Sequence, residues 1–281
     1  MPVNYSPLRY PGGKSKLYNY VKPILQENNL IGETYIEPFA GGSGLAIKLL
    51  LKGDVKRIVL NDYDPAIYKF WYCVLNETDE LCNFINNVDV TLEEWDIQKQ
   101  IYSHQNEYDT IDVAKATFFL NRTNVSGIIK GGMIGGRTQN GNYGINARFN
   151  RNDLVSKIRA IAQYSKKIDL YNLDAKEFIK PEILHHYYKV FINFDPPYVE
   201  KGGQLYKNSF SEQDHKDLFN AIKRCNRKWM VTYDVNELIK ELYKDYRGTE
   251  ITLNYYAKTV RKAQELAYFS HNLVLPDNIV L

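Results

Sequence analysis

The amino-acid sequence predicts an α/β fold in which a largely parallel sheet is interrupted by a long, mainly helical insertion. Near the amino terminus, a strand pattern, a glycine-rich turn and a helix follow one another, and a second strand comes directly after them. Strand patterns return only after about residue 167. The chain between the two sets of strands has helical periodicity instead.

The first strand is predicted at 34–39, and Gly41 to Gly44 form the turn before a helix that begins near Leu45. A second strand that follows such a helix forms a right-handed parallel unit with the first. Further strands are predicted at 57–61, 168–171, 190–194, 229–233, 251–255 and 266–269. The last two are candidates for an antiparallel pair, and Ser211 and Asp214 are the expected capping box of a helix.

The insertion is predicted from about residue 65 to residue 164. It contains a helix through 113–120 and a glycine-rich stretch at 127–150 whose composition is typical of loops or a hairpin. A further helix is expected behind Asn152 and Asp153, which are suitable capping residues.

Composition excludes several classes of protein. The 281 residues carry a net charge of +3 and include three cysteines and five histidines, whose spacing matches neither a disulfide framework nor a zinc site. No apolar run is long enough to cross a bilayer, and the first residues lack a secretory pattern. We therefore expect a soluble, cytoplasmic protein with no metal.

Charge is distributed unevenly along the insertion. Residues 77–112 carry a net charge of −9, whereas residues 121–167 carry +8. Because binding to a polyanion depends on the local field, the second segment is a candidate for phosphate contacts. The alternative is a solvated basic face with no ligand.

The sharpest motif is Asp195-Pro196-Pro197-Tyr198, which follows the predicted strand 190–194. Two prolines end the strand and hold the neighbouring carbonyls rigidly at its carboxyl end, where open α/β sheets bind ligands. The Asp195 carboxylate and the Pro196 carbonyl are suited to accept both hydrogens of an exocyclic amine, and the Tyr198 ring to stack on a planar base. A strand that merely ends in two prolines is the alternative.

A second motif runs from Glu37 to Gly44 at a turn between a strand and a helix. Its glycines allow a ligand to approach the backbone, and Asp62 follows the next strand, where such sheets bind ribose. Because residue 47 is Ile, the dinucleotide-binding fingerprint is incomplete. A tight turn without a ligand is the alternative.

A third motif, Pro11 to Ser15, ends like a phosphate-binding loop. The glycine that such a loop requires five residues before Gly13 is Leu8 here, and no strand precedes it. Lys14 could face a ligand, or the segment could be an ordinary surface turn.

Taken together, these motifs resemble the Dam-type DNA adenine-N6 methyltransferases, and the resemblance covers most of the chain. The matching segments are 8–14, 37–44, 61–62, 120–122 and 195–198. The resemblance implies a Rossmann-like class I methyltransferase sheet with an inserted, mainly helical target-recognition domain. The catalytic domain would comprise residues 1–64 and 165–281, and the DNA-binding domain residues 65–164.

The implied activity is transfer of a methyl group from S-adenosylmethionine to the N6 amine of adenine in double-stranded DNA. An amine inside the duplex is out of reach, so the base would be flipped out. The implied catalytic residues are Asp195, Pro196, Pro197 and Tyr198. The implied cofactor-binding residues are Tyr10, Lys14, Glu37, Pro38, Phe39, Ala40, Gly41, Gly42, Ser43, Gly44, Asp62, Asp174 and Asp195. For Asp174, an exposed acid that starts a helix is an equally good interpretation.

Arg122 matches a position that contacts DNA in the family, and the surrounding basic stretch supplies further candidates. The predicted DNA-binding residues are Arg122, Asn124, Lys130, Arg137, Arg148, Asn150 and Arg151. The chain departs from members that methylate GATC, because Val125 and Lys130 stand where those members carry an aromatic wedge and a guanine-reading arginine. GATC is therefore not implied as the target.

Two other functions stay open from the sequence. One is methylation of the cytosine N4 amine, and the other is a catalytically silent DNA-binding module, which the intact Asp195 and Tyr198 argue against. The target sequence, membership of a restriction-modification system and the oligomeric state are not predicted. No membrane and no obligatory protein partner is expected. The resemblance implies a cytoplasmic protein of bacterial or phage type that is associated with DNA.

Overall fold

The structure is a computed structural model that describes residues 5–9, 14–199, 210–256, 260–277 and 279. Tyr10 and residues 11–13 of the third motif therefore lie outside the described residues. The chain divides into two compact units. The helical unit comprises Met1–Gly13 and Asp64–Leu170, and the sheet unit comprises Lys14–Tyr63 and Tyr171–Leu281.

In the ranges that the structure describes, the sheet has seven strands in the order β3-β2-β1-β4-β5-β7-β6. The strands are β1 (Thr34–Glu37), β2 (Arg57–Asn61), β3 (Ile168–Tyr171), β4 (Val190–Phe194), β5 (Lys228–Asp234), β6 (Arg247–Tyr256) and β7 (Val260–Phe269). β1 pairs in parallel with β2 and β4, and β4 pairs in parallel with β5. β7 is antiparallel to both β5 and β6. The predicted α/β fold, with its Rossmann-like sheet and helical insertion, is confirmed.

Helices cover the sheet in its own unit. They are α1 (Tyr18–Glu27), α2 (Gly44–Leu51), α8 (Ala175–Phe178), α9 (Pro181–Leu184), α10 (Glu212–Arg224) and α11 (Glu237–Leu242). On one face, Ile36, Ile192 and Val231 of the central strands pack with Phe178 and Leu218 of the helices. β1 and β4 are buried along their whole length, as expected for parallel strands with both faces covered.

Asn61 fixes the chain at the carboxyl ends of the strands. Its buried side-chain amide donates to the Pro38 carbonyl at 2.9 Å and to the Leu173 carbonyl at 3.0 Å, and it accepts from the Leu173 amide at 3.0 Å. The side chain therefore ties the turn after β1 to the loop after β3. β1 ends at Glu37, two residues earlier than the sequence predicted, because Pro38 cannot donate to a ladder.

The expected capping box of α10 is confirmed. The Ser211 hydroxyl accepts from the Asp214 amide at 3.2 Å, and the Asp214 carboxylate accepts from the Ser211 amide at 2.9 Å. These two bonds satisfy backbone donors that have no partner within the helix. The helix therefore begins at Glu212.

The described residues of the helical unit form five longer helices. They are α3 (Pro65–Asn76), α4 (Thr78–Asn87), α5 (Leu92–Ser103), α6 (Thr110–Thr123) and α7 (Arg151–Ala162). α6 packs against α3 and α5, and α7 packs against α3 and α4. α7 is capped by Asn150, whose side chain accepts from the Asp153 amide at 3.2 Å. The expectation that Asn152 or Asp153 would be the cap was wrong, because both lie inside the first turn.

The segment that includes Arg9 belongs to the helical unit, whereas the sequence analysis assigned residues 1–64 to the catalytic domain. The Asn121 side chain accounts for this difference. It accepts from the Arg9 amide at 2.8 Å and donates to the Arg9 carbonyl at 2.7 Å, as a neighbouring strand would. It also donates to the Gly127 carbonyl at 2.9 Å.

None of the helices in the described part of the chain has both the length and the apolar character needed to span a membrane.

Gly127 is expected to tolerate no side chain. It has a φ of +78°, and a Cβ atom added there would lie 2.2 Å from the Arg9 carbonyl oxygen. Gly127→Ala should therefore lower the free energy of unfolding by ~2 kcal/mol or more, measured by urea denaturation. Gly132→Ala is the matched control, because its added Cβ meets nothing within 4 Å. Equal stabilities for the two variants would contradict this packing.

Candidate active site

Three acidic residues lie at the carboxyl ends of neighbouring parallel strands. Glu37 is the last residue of β1, Asp62 follows β2, and Asp195 follows β4. Because β2, β1 and β4 are adjacent and parallel, these ends meet at one edge of the sheet. This edge is where open α/β sheets bind their ligands.

The Lys14 ammonium lies beside the oxygens of three other residues. Its Nζ is 3.2 Å from Asp195 Oδ1 and 2.7 Å from Glu265 Oε2, and it also donates to the Tyr198 hydroxyl. The Tyr198 hydroxyl donates in turn to Glu265 Oε1. Lys14 is 7% exposed and Glu265 is 1% exposed. These four residues, named here the Lys14 cluster, form a compact charged group within the sheet unit.

The two oxygens of Asp195 have different surroundings. Oδ1 faces Lys14 and accepts from the Thr232 hydroxyl at 3.1 Å. Oδ2 has no hydrogen-bond partner among the described residues, and the side chain is 26% exposed. Burial raises the pKa of Asp195 to about 6; the Lys14 charge opposes this shift and the Glu265 charge adds to it. The carboxylate is thus mostly ionised at neutral pH, with one oxygen available to accept from a ligand.

The residues after Asp195 leave the sheet without regular secondary structure. Pro196 is buried, and Pro197 and Tyr198 are half-buried. The prolines fix the backbone φ and remove two donors, so the segment is rigid. The sequence analysis gave a role only to the Tyr198 ring, whereas the structure gives partners to the hydroxyl as well.

Glu37 is an acid buried among uncharged polar groups. The Tyr35 hydroxyl donates to its Oε1 at 3.2 Å. Burial raises the pKa of Glu37 to about 8; the Tyr35 hydrogen bond opposes the shift and the Asp195 charge adds to it. Nearby on β4, the buried Asn193 Oδ1 has no hydrogen-bond partner among the described residues. A carboxyl group with a raised pKa is stabilised in its ionised form when a cation approaches it.

The turn after β1 approaches the second acid of the edge. Gly41 and Ser43 both have a φ of +45°, and α2 begins at Gly44. The Gly41 amide donates to Asp62 Oδ2 at 2.7 Å, which orients that carboxylate. Pro38, Ala40, Gly41, Gly42 and Ser43 are buried, and Phe39 and Gly44 are half-buried.

Asp174 caps a short helix. Its Oδ1 accepts from the Lys176 amide at 2.8 Å, at the start of α8. The sequence left two interpretations open for Asp174, a cofactor contact and an acid that starts a helix. The structure shows the second. The carboxylate is half-exposed, and a cofactor contact at this residue stays a prediction.

In the helical unit, Asn124 is a structural residue. It is fully buried. Its Oδ1 accepts from the Trp95 indole at 2.7 Å, and its Nδ2 donates to the carbonyls of Ile128, Ile129 and Gly131. The expectation that Asn124 contacts DNA is therefore corrected, because the amide is inside the unit and holds the loop that follows α6.

Three other predicted DNA contacts also have partners within the helical unit. Asn150 caps α7, and the Arg151 guanidinium donates to two carbonyl oxygens at the end of α4. Arg137 forms a two-pronged ion pair with Asp96 at 2.7 and 2.5 Å, and both side chains are exposed. These polar groups support the fold, and a DNA contact at Asn150 or Arg151 stays a prediction.

Arg122 lies next to two other arginines. Its Nε donates to the Arg148 carbonyl at 2.8 Å and its Nη1 to the Pro7 carbonyl at 3.3 Å. Burial, together with the charges of Arg9 and Arg148, lowers the pKa of Arg122 to about 9. Arg148 is exposed, with its guanidinium carbon 5.6 Å from the centre of the exposed Tyr143 ring. The exposed face of this arginine cluster is suited to an anion, and Lys130 is exposed as well.

Comparison with known proteins identifies the family. A sequence model of the D12 class N6 adenine-specific DNA methyltransferases matches residues 10–259. The chain belongs to this family. The D12 enzyme thus transfers a methyl group to the N6 amine of adenine in DNA, as the resemblance predicted, and the cytosine and non-enzymatic alternatives are not supported.

One curated relative of the D12 enzyme is the type II methyltransferase M.MjaIII of Methanocaldococcus jannaschii. It is 22% identical over 264 residues, which cover 85% of this chain and 88% of the relative. Among solved structures, PH1948 of Pyrococcus horikoshii, named as an RNA methyltransferase, is 11% identical with a TM-score of 0.41. That match covers 96% of this chain and 88% of the other.

Sequence reasoning missed two residues that contact the candidate site, Thr232 and Glu265. Both lie on strands, where no motif marks them. One signal was present for Glu265, because it alternates in phase with Ala267 and Phe269 on β7, and both of these are fully buried. An acid in the buried phase of a strand indicates a partner of opposite charge.

The structural role of Asn124 predicts a loss of stability without a loss of DNA contacts. Asn124→Ala removes the acceptor of the Trp95 indole and the donor to three carbonyls. The free energy of unfolding should fall by ~2–4 kcal/mol, measured by urea denaturation, because each buried group left unsatisfied is costly. Asn140→Ala, at an exposed position, is the control. Parental stability combined with weakened DNA binding would restore Asn124 as a DNA contact.

Proposed function

We propose that the D12 enzyme takes its methyl group from S-adenosylmethionine, bound along the carboxyl ends of β1, β2 and β4. The acceptor is an adenine that has left the stack of double-stranded DNA. The observation that carries this proposal is the pair of oxygens on Asp195. Lys14 and Thr232 hold one of them, and the other points to no partner among the described residues.

The residues at this edge fit the chemistry of S-adenosylmethionine, which has an ammonium, a carboxylate and a ribose diol. The ammonium of the donor would stabilise the ionised form of the buried Glu37 carboxyl group, which accounts for an acid at this buried position. The start of α2 at Gly44 is suited to the carboxylate, since backbone amides and the helix dipole favour anions there. Asp62, oriented by the Gly41 amide, is suited to accept from the ribose hydroxyls.

The bound donor supplies an electrophilic sulfonium methyl group. The residues of this chain hold and orient the acceptor amine. Asp195 Oδ2 accepts one amine hydrogen and the Pro196 carbonyl accepts the other, which favours a pyramidal nitrogen with a localised lone pair. The Asp195 charge also stabilises the positive charge that develops on the nitrogen. Alignment by this rigid segment accounts for much of the rate, because it removes the entropic cost of bringing the groups together.

Base flipping is required because the adenine amine must reach the site. The amine of a stacked, paired adenine cannot reach a site at the end of a strand, so the nucleotide must rotate out of the duplex. Tyr198 offers an aromatic face that is half-buried. Stacking of the extruded base on this face is worth ~1–3 kcal/mol, which offsets part of the unpairing cost.

The helical unit is proposed as the DNA-recognition domain. Its arginine cluster of Arg9, Arg122 and Arg148 concentrates positive charge. Burial lowers the pKa of Arg9 and of Arg122, and the Arg148 charge adds to both shifts. A phosphate group near Arg148 relieves this repulsion, because its negative charge favours all three cations. Among the predicted DNA-binding residues, Arg148 and Lys130 are exposed cations that form no ion pair with an acid within the described part of the chain.

Asp195→Ala should lower the rate of methyl transfer by at least ~10²-fold, the effect of removing one preorganised electrostatic contact. In the parent, kcat should fall as the pH drops through about 6, because protonation of Asp195 removes an acceptor. The assay follows labelled methyl from S-adenosylmethionine into duplex DNA and identifies N6-methyladenine by mass spectrometry. Asp245→Ala, at an exposed position, is the control. Near-parental turnover of a folded Asp195→Ala variant would remove the assignment.

Arg148→Ala should flatten the dependence of DNA affinity on salt. A phosphate contact releases about one counterion, so the slope of log affinity against log salt should change by ~1. Fluorescence anisotropy with a labelled duplex at several salt concentrations measures this slope. Arg137→Ala is the matched control, because Asp96 already pairs its guanidinium. Identical slopes for the parent and Arg148→Ala would locate the docking surface elsewhere.

A further inference from the structure

We propose that Glu265 is a positioning residue of the methyltransferase site, which holds the Tyr198 ring and the Asp195 carboxylate in place through Lys14. This inference rests on the proposed function, because it assigns Glu265 a task in presenting the acceptor base. No motif in the sequence marks Glu265.

Each Glu265 oxygen has a different partner in the Lys14 cluster. Oε2 accepts from Lys14 Nζ at 2.7 Å, and Oε1 accepts from the Tyr198 hydroxyl. Lys14 also contacts Asp195 and donates to the Tyr198 hydroxyl. These contacts link Asp195 and Tyr198, the two residues that would face the base. Glu265 contributes to the link by binding both Lys14 and Tyr198.

The antiparallel strand β7 brings Glu265 to the ligand edge. Glu265 pairs with Asp234, the last residue of β5, and Ala267 pairs with Thr232. Opposite residues of paired strands share a face, so Glu265 lies on the same face as Thr232. Thr232 donates to Asp195, which places both supports of Asp195 on neighbouring strands.

Burial makes the geometry of the cluster hard to alter. Glu265 is 1% exposed, so its carboxylate depends on Lys14 and Tyr198 for compensation. The Tyr198 side chain has only two rotatable bonds, and its hydroxyl is anchored at both sides. The ring plane is therefore set before a base arrives, which is the preorganisation that a stacking platform needs.

The Glu265 charge also affects the pKa of Asp195. Among the described residues, the titratable side chains that interact with Asp195 are Lys14, Tyr35, Glu37, Tyr233 and Glu265, and Tyr198 lies within the cluster. Of these, Lys14 lowers the pKa of Asp195 and Glu265 raises it. Removing the Glu265 charge should therefore lower the pKa of Asp195 below about 6.

The first experiment needs no ligand. The Asp195 carboxyl is titrated by carbon-13 NMR in ligand-free protein, and its signal is assigned by its loss in Asp195→Asn. The midpoint should lie lower in Glu265→Gln than in the parent, whereas Glu250→Gln should leave it unchanged, because Glu250 is an exposed acid on the neighbouring strand β6. An unchanged or raised midpoint in Glu265→Gln would overturn the proposal.

The second experiment is a double-mutant cycle on kcat. Glu265→Gln and Tyr198→Phe should each lower kcat by ~10 to 100-fold, because the base is then poorly aligned. The double variant should be no slower than the slower single variant, because both substitutions remove the same hydrogen bond between Glu265 and the Tyr198 hydroxyl. The KM for S-adenosylmethionine should stay within ~3-fold of the parent, because neither substitution removes a contact that binds the methyl donor. Additive losses would mean that Glu265 does not act through Tyr198.

Glu265→Asp gives an independent test if Glu265→Gln folds poorly. It keeps the charge but shortens the side chain, so kcat should fall while the acid limb of the pH profile stays near that of the parent. Parental kcat in Glu265→Asp would also overturn the proposal. If the parent transfers no methyl from S-adenosylmethionine, the proposed function fails, and the NMR titration still decides the position of Glu265.

Discussion

The Lys14 ammonium lies between the carboxylates of Asp195 and Glu265, in a region with little access to water. Without the ammonium, two buried acids and a tyrosine hydroxyl would face one another, and at least one acid would have to take up a proton. The positive charge thus allows β4 and β7 to present acids at the same edge. The rigid Asp195–Tyr198 segment depends on this pairing for its orientation, and the alignment proposed for the acceptor base depends on that segment.

At the ends of β1 and β3, a neutral side-chain amide holds neighbouring segments together, as the Lys14 ammonium does at β4 and β7. Asn61 joins the turn after β1 to the loop after β3, and so holds Asp62 beside the glycine turn. In the helical unit, the Asn121 and Asn124 side chains likewise hold loops through hydrogen bonds to backbone groups. Buried amides suit this work because they satisfy both donors and acceptors without the desolvation cost of a charge.

The sequence was sufficient for the parts of the fold that depend on local pattern. The strand 190–194, the capping box at Ser211 and the acids at strand ends follow from periodicity and turn chemistry. Contacts between distant segments could not be read in this way. Glu265 looks like one acid in a strand, and only the register of β7 brings it to Lys14. Asn124 looks like a polar residue in a basic stretch, yet tertiary packing buries it completely.

The central claim is that Lys14 compensates the buried acids, and the pH dependence of the melting temperature in Lys14→Met tests it most directly. Loss of the ammonium should raise the pKa of Asp195 above about 6. An acid whose folded pKa is raised loses stability as the pH rises through that pKa. The melting temperature of Lys14→Met should therefore fall further below that of the parent at pH 8 than at pH 5. A deficit that is equal at both pH values, or larger at pH 5, would contradict the account.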